Sequence, residues 1–187
     1  MNDENEEQKN STVTSGSQYI PSIYAIDGSC IDEKVNNSNI NFYNIEGDYY
    51  KQLQNINKDS KNNVVIGFSA GGKPAVEATA YAINNNGISV ESVFVIDDGT
   101  AHVDSKKYRN SLQTLAASNS EIYFISRRND NSNYTNLKAD AEEYAKTAGT
   151  AFLITNNGTK GHGTGAEQIY ARTVNDNLVG YLNGSGQ

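Results

Sequence analysis

The chain has one cysteine, two prolines and no tryptophan in 187 residues. With Cys30 alone, no internal disulfide can form, so burial and hydrogen bonding must hold the fold together. A lone thiol leaves the redox compartment open; the simplest reading of Cys30 is a small buried hydrophobe. No apolar run approaches the roughly 18 residues of a membrane-spanning helix. There is no basic stripe, and the formal net charge is −7, so nucleic acid is a poor partner for this surface. No basic segment followed by an apolar one opens the chain, so no signal peptide is visible. Localisation stays open between a trimmed secreted or cell-envelope form and the cytoplasm.

Apolar residues are also missing from the first 18 positions, where Val13 is the one exception after Met1. Asn, Glu, Gln, Ser, Thr and Gly dominate there, and such a stretch cannot bury enough surface to offset the entropy of ordering. The expected organisation is a flexible polar tail over 1–18 and one folded domain over 19–187.

Within that domain, short apolar runs recur: Ser22–Ile26, Ile40–Ile45, Val64–Ile66, Val93–Ile96, Ile122–Ile125 and Ala151–Ile154. Most are continuous rather than alternating, as expected of strands buried on both faces of a parallel sheet. Helical periods separate most of them. Tyr49, Leu53 and Ile56 share a face, as do Val76, Ala80 and Ile83. Tyr108, Leu112 and Leu115 form a third stripe, and Leu137, Ala141 and Tyr144 a fourth. A last one runs through Ala166, Tyr170, Val174, Leu178 and Leu182. Pro74 falls near the start of its helix, where a missing N–H costs little. Strands alternating with helices predict a parallel α/β sheet.

An α/β layer gathers its functional groups at the carboxyl ends of the strands, where loops and helix N-termini meet. Ser69 follows the third run inside Gly67-Phe68-Ser69-Ala70-Gly71, a Gly-x-Ser-x-Gly between a β-branched strand and an alanine-rich helix. That spacing suits a tight strand-to-helix turn, in which glycines avoid collisions with neighbouring backbone. Asp97 and Asp98 follow the fourth run, Arg127-Arg128-Asn129-Asp130 the fifth, and Gly161-His162-Gly163 comes after the sixth.

A serine, an acid and a histidine beyond successive strand ends, in that chain order, resemble the α/β-hydrolase family. The Phe-Ser-Ala-Gly-Gly stretch is similar to that of family esterases. Ile122 to Asp130 looks like the family's seventh strand with its triad aspartate, and Phe152 to His162 like the eighth strand with its Gly-His loop. Ser22 to Cys30 looks like the third strand, and the family's first two strands have no counterpart. The resemblance implies a three-layer α/β-hydrolase fold: a minimal, mostly parallel sheet of about six strands with helices on both faces. It implies acyl transfer from a small or accessible ester, without cofactor or metal, by Ser69 as nucleophile, His162 as base and Asp130 as the acid that orients it. The backbone N–H groups of Ala70 and Ser29 would form the oxyanion hole. Asp27-Gly28-Ser29-Cys30 departs from the family's His-Gly or glycine run, which opens the choice of the second donor.

Plainer readings stand beside these. Asp97 and Asp98 are alternative acids, or simply turn residues of an Asp-Asp-Gly strand end. His102 reads as a surface or supporting residue, and Arg127 and Arg128 as solvated loop cations. The whole domain can also be a catalytically inactive binding module that kept the turn. A phosphate site at Gly71-Gly72 lacks the surrounding glycine and lysine pattern that such a loop needs.

Overall fold

The protein is described here from a computed structural model, which describes residues 22–26, 41–56, 58, 63–126 and 132–155. The expected tail over 1–18 lies outside these residues. The six strands are β1 (Ser22–Ile26), β2 (Asn41–Ile45), β3 (Asn63–Phe68), β4 (Ser92–Ile96), β5 (Glu121–Ser126) and β6 (Phe152–Thr155). The helices are α1 (Tyr49–Leu53), α2 (Gly72–Asn86), α3 (Lys106–Ala117) and α4 (Ser132–Ala148). Each strand coincides with one of the apolar runs to within a residue or two at its ends, and each helix with one of the first four helical periods.

The strands form one sheet in the order β2-β1-β3-β4-β5-β6. All five neighbouring pairs are parallel. A mostly parallel sheet was expected; the observed one is wholly parallel among the described strands, because no hairpin joins any two of them. The central strands β1, β3 and β4 are buried along their whole length, which is why their sequences read as unbroken apolar runs. At the edges, burial relaxes, and Tyr43 of β2 and Phe152 of β6 are exposed.

The chain crosses from β2 to β3, then to β4, β5 and β6, always in the same direction over the sheet. Right-handed crossovers in one direction place their helices on one face. Accordingly, Leu53 of α1, Val76 of α2, Leu112 of α3 and Leu137 of α4 share a single apolar core with Val65, Val93, Val95, Ile122 and Phe124 of the sheet. The opposite face holds a second core of Ile23, Ala25, Val64, Ile66, Phe94, Ile96, Tyr123 and Ile125. Helices on both faces were expected. The four described helices lie on one; the expected last helix (166–182) and the connection 27–40 fall outside the described residues. No helix among the described residues is long and apolar enough to cross a membrane.

Aromatic rings reinforce the second face. Phe94, Tyr123 and Phe152 stack across β4, β5 and β6, with centroids 4.7 and 4.6 Å apart. Phe124 points the other way and is fully buried (0% exposed), whereas Phe152 is 37% exposed. Phe124→Ala is therefore expected to cost about 3–5 kcal/mol of unfolding free energy, as a cavity in a packed core does, and Phe152→Ala less than about 1.5 kcal/mol. Urea titrations of the two variants measure the difference.

Candidate functional site

Among the described residues, the most constrained backbone lies between β3 and α2. A Cβ on Gly67 would sit 2.2 Å from the Gly71 carbonyl oxygen and 2.7 Å from Ala75 Cβ. Both obstacles belong to fixed main chain or its first side-chain atom, so only glycine allows the strand end and the helix start to close to this distance. Between them, Ser69 opens a single 3-10 turn, Ser69–Gly71, at φ +51°. A serine in this left-handed region costs roughly 1–2 kcal/mol relative to a right-handed one. The cap residue of α2 is Gly71, and no side chain caps the helix; the Gly72 N–H donates back to the Ser69 carbonyl, and Pro74 has no N–H that would need a partner.

The neighbouring strand ends in the same way. Phe68 of β3 pairs with Ile96 of β4, so Ser69 and Asp97 emerge side by side from the carboxyl edge of the sheet. Asp97 has φ +49°, and Asn119 is the one further non-glycine residue with positive φ among those described. Asn119 follows α3, where an asparagine in this conformation is ordinary helix-ending chemistry. The other two are a serine and an aspartate on adjacent strands. They also lie near the place where the sheet order reverses: β1 and β3 are neighbours, and the chain leaves β1 towards β2 but β3 towards β4. Crevices in open α/β sheets form at such switch points.

Beyond Asp97 the loop to α3 carries a buried polar cluster. Asp97 is fully buried, and its Oδ1 accepts from Asn133 Nδ2 at 3.2 Å. Asp98 Oδ1 accepts from the Thr100 N–H at 3.0 Å, the turn chemistry expected of Asp-Asp-Gly. Its Oδ2 accepts from His102 Nε2 at 2.9 Å. The same carboxylate packs on the start of α2, for a Cβ on Gly72 would lie 2.6 Å from Asp98 Oδ2. There it faces the positive end of the helix. The His102 N–H donates to Asp140 Oδ1 at 2.9 Å, and the His102 ring lies 5.2 Å from that of Tyr108. Tyr108 and Asp140 are both fully buried.

Burial raises the Asp140 carboxyl from 3.8 to about 6; the His102 N–H, the imidazole and the Tyr108 hydroxyl hold it down in part, and Asp98 pushes it up. Burial likewise keeps the Tyr108 phenol well above its ordinary value, with the Asp140 and Asp98 carboxylates adding to the effect. Asp140 Oδ2 and the Tyr108 hydroxyl each lack a well-formed hydrogen bond. The three acid and imidazole groups do not make a metal site: among the described residues, no three His, Cys, Asp or Glu side chains come together to hold an ion.

Of the residues singled out in the sequence, Ser69, Ala70, Asp97 and Asp98 meet at this corner of the sheet. Ser29, Asp130 and His162 lie outside the described residues, as do Cys30, Arg127 and Arg128. His102 is a supporting residue rather than a surface one, with a side chain only 13% exposed. Sequence reasoning missed Asp140 and Asn133. Asp140 did leave a trace: it falls three residues after Leu137 and four before Tyr144, a charge on the apolar stripe of its own helix. Asn133 left none, since an asparagine in the first turn of a helix is unremarkable. No known family model matches the chain, and a search of curated proteins returns no relative.

Two outcomes follow from this geometry. Gly67→Ala is expected to destabilise the protein by about 3 kcal/mol or more, because backbone blocks it; Gly72→Ala should cost only about 1–2 kcal/mol, because the obstructing Asp98 and Val95 side chains can shift. Equilibrium unfolding of both variants tests the ranking. Asp140 binds its proton more tightly folded than unfolded, so its contribution is present below pH 3.8 and is lost as pH rises through about 6. Asp140→Asn lacks this slope, and its unfolding midpoint should gain on the wild type between pH 4 and pH 7 and level off above.

Proposed function

We propose that the chain is a serine hydrolase of the α/β-hydrolase type that cleaves a small or accessible ester through an acyl-enzyme on Ser69. The observation that carries this reading is the left-handed backbone of Ser69 between Gly67 and Gly71, at the end of a buried central strand and the start of a helix. The order 2-1-3-4-5 is also that of doubly wound domains that bind nucleotides or flavins, so sheet order alone does not favour a hydrolase. A strained serine does. A binding loop for phosphate gains nothing from forcing a serine into this conformation, whereas a nucleophile must be thrust clear of the sheet with its hydroxyl accessible to substrate.

In the proposed reaction, Ser69 Oγ attacks the ester carbonyl and His162 takes its proton, later returning it to the leaving alcohol. Asp130 holds the imidazole in the required tautomer and stabilises the imidazolium. The N–H of Ala70, with Ser29 as second donor, receives the oxyanion, and one such donor is worth about 3 kcal/mol in the transition state. The positive end of α2 adds to the same field. Asp130 is favoured over Asp98 because both Asp98 oxygens are engaged, one by Thr100 and the other by His102. Asp97 is a weaker choice still, being fully buried with Asn133 on its carboxylate. No step calls for a cofactor.

A fluorophosphonate probe should label the wild type and not Ser69→Ala, and p-nitrophenyl acetate turnover should fall to the uncatalysed background in Ser69→Ala and His162→Ala. Asp130→Asn should lose about 10⁴ in kcat, and Asp98→Asn less than about 10²; the reverse ranking moves the acid to Asp98. Absence of both labelling and turnover leaves a binding module. Ser69→Gly should be inactive yet more stable than the wild type by about 1 kcal/mol, because glycine relieves the left-handed strain that alanine keeps. Thermal unfolding of the Gly and Ala variants reads that difference.

A further inference from the structure

One edge of α4 is devoted to the loop that follows β4. Asn133 Nδ2 donates to Asp97 Oδ1 at 3.2 Å, Asn136 Nδ2 to the Gly99 carbonyl at 2.8 Å, and Asp140 Oδ1 accepts from the His102 N–H at 2.9 Å. Residues 133, 136 and 140 recur at the helical interval, so a single face makes all three contacts. From the loop the contacts continue to the turn between β3 and α2: His102 meets Asp98, and Asp98 packs on Gly72, three residues after Ser69. The loop itself is not in a relaxed conformation, with Asp97 at φ +49°. Something must hold it there.

We propose that Asp140 is a positioning residue: with Asn133 and Asn136 it clamps the loop 97–102 against the first turn of α2, and so fixes the wall of the site beside Ser69. The choice of residue supports this. A fully buried carboxylate with one oxygen lacking a well-formed hydrogen bond burdens the fold at neutral pH. Leucine or asparagine would burden it less, so a carboxylate here is the kind of local inconsistency expected at a functional site. What the charge supplies is a stronger acceptor, since hydrogen bonds to an ionised carboxylate are roughly twice as strong as neutral ones. The groups facing it are the Asp98 carboxylate and the His102 imidazole from the loop and the Tyr108 hydroxyl from α3. The sheet contributes Ile122 and Phe124 to the core that α4 packs on, and neither titrates. Protonation of Asp140 therefore weakens the clamp at its one contact to the loop backbone, and the pH range is set by its carboxyl at about 6.

The clamp is testable without reference to hydrolysis, by NMR of the full chain. The His102 backbone amide should be protected from exchange by about 100-fold or more at pH 7.5, by about tenfold less in Asp140→Ala, and within about threefold of the wild type in Asp140→Asn, which keeps an acceptor. The His102 amide proton shift should titrate in the wild type with a midpoint near the 6 of Asp140. In Asp140→Asn that step should be absent once the step followed by the His102 ring protons is subtracted. Should Asp140→Ala fail to fold, this titration and its loss in Asp140→Asn still decide. An unprotected amide in the wild type, no titration, or the same titration in Asp140→Asn each overturns the proposal.

The kinetic consequence rests on the esterase reading above. Asp140→Ala should lower kcat on p-nitrophenyl acetate by about 10- to 100-fold with KM within about twofold, as a small misplacement of active-site structure does. An unchanged kcat beside lost amide protection overturns the positioning role. A protected, titrating amide in a wild type without Ser69-dependent turnover overturns the hydrolase reading and leaves the clamp standing.

Discussion

Everything at the carboxyl edge of this sheet depends on how closely the backbone of β3 passes the backbone of α2. Gly67 and the Gly71 carbonyl are so near that a single methyl group cannot be interposed. That contact shortens the strand-to-helix connection to one 3-10 turn and drives Ser69 into the left-handed region. It also brings the start of α2, with the positive end of its dipole, to the same point. A looser turn would let Ser69 relax, but the hydroxyl and the helix end would then part company. The strain is thus a consequence of packing, and the buried strand β3 and the apolar core beneath α2 sustain it.

The second strained corner follows from the first through the sheet. Because β3 and β4 are in parallel register with Phe68 opposite Ile96, the residue after each strand sits beside the other. Asp97 and Asp98 are thereby carried to the turn between β3 and α2, where the Asp98 carboxylate abuts Gly72. Turn preference alone does not hold this loop. α4, separated from the loop in the chain by α3 and β5, supplies amide donors at Asn133 and Asn136 and a carboxylate acceptor at Asp140. The arrangement exchanges fold stability for a defined loop: the Asp140 carboxyl rises to about 6 through burial. Tyr108 and His102 face the same carboxylate and moderate that effect without abolishing it.

The fold was largely legible in the sequence. Parallel strands buried on both faces cannot alternate apolar and polar residues, and runs such as Val93–Ile96 state this directly. Stripes such as Tyr108, Leu112 and Leu115 state the helices in the same way. Edge strands were harder to bound: β2 begins one residue later than its apolar run, and β6 is only partly buried. The site was legible in part. Ser69 announces itself through the glycines that only a tight turn requires. Asp98 was noticed for its turn chemistry, but its bond to His102 depends on the loop closing four residues later, which no periodicity encodes. Asp140 stood out only as a charge among Leu137, Ala141 and Tyr144.

Sequence by itself determined the parallel α/β class, the positions of the strands and the place of the serine, because burial pattern and glycine spacing are local properties of the chain. Only the tertiary structure decided that the sheet reverses order between β1 and β3, that α1 to α4 share one face, and that Asp97 stands beside Ser69. It alone joined Asp140 to His102 across 38 residues of chain. Such pairings depend on the order in which strands are laid side by side and on the hand of the crossovers, and neither is written in the residues of any single segment.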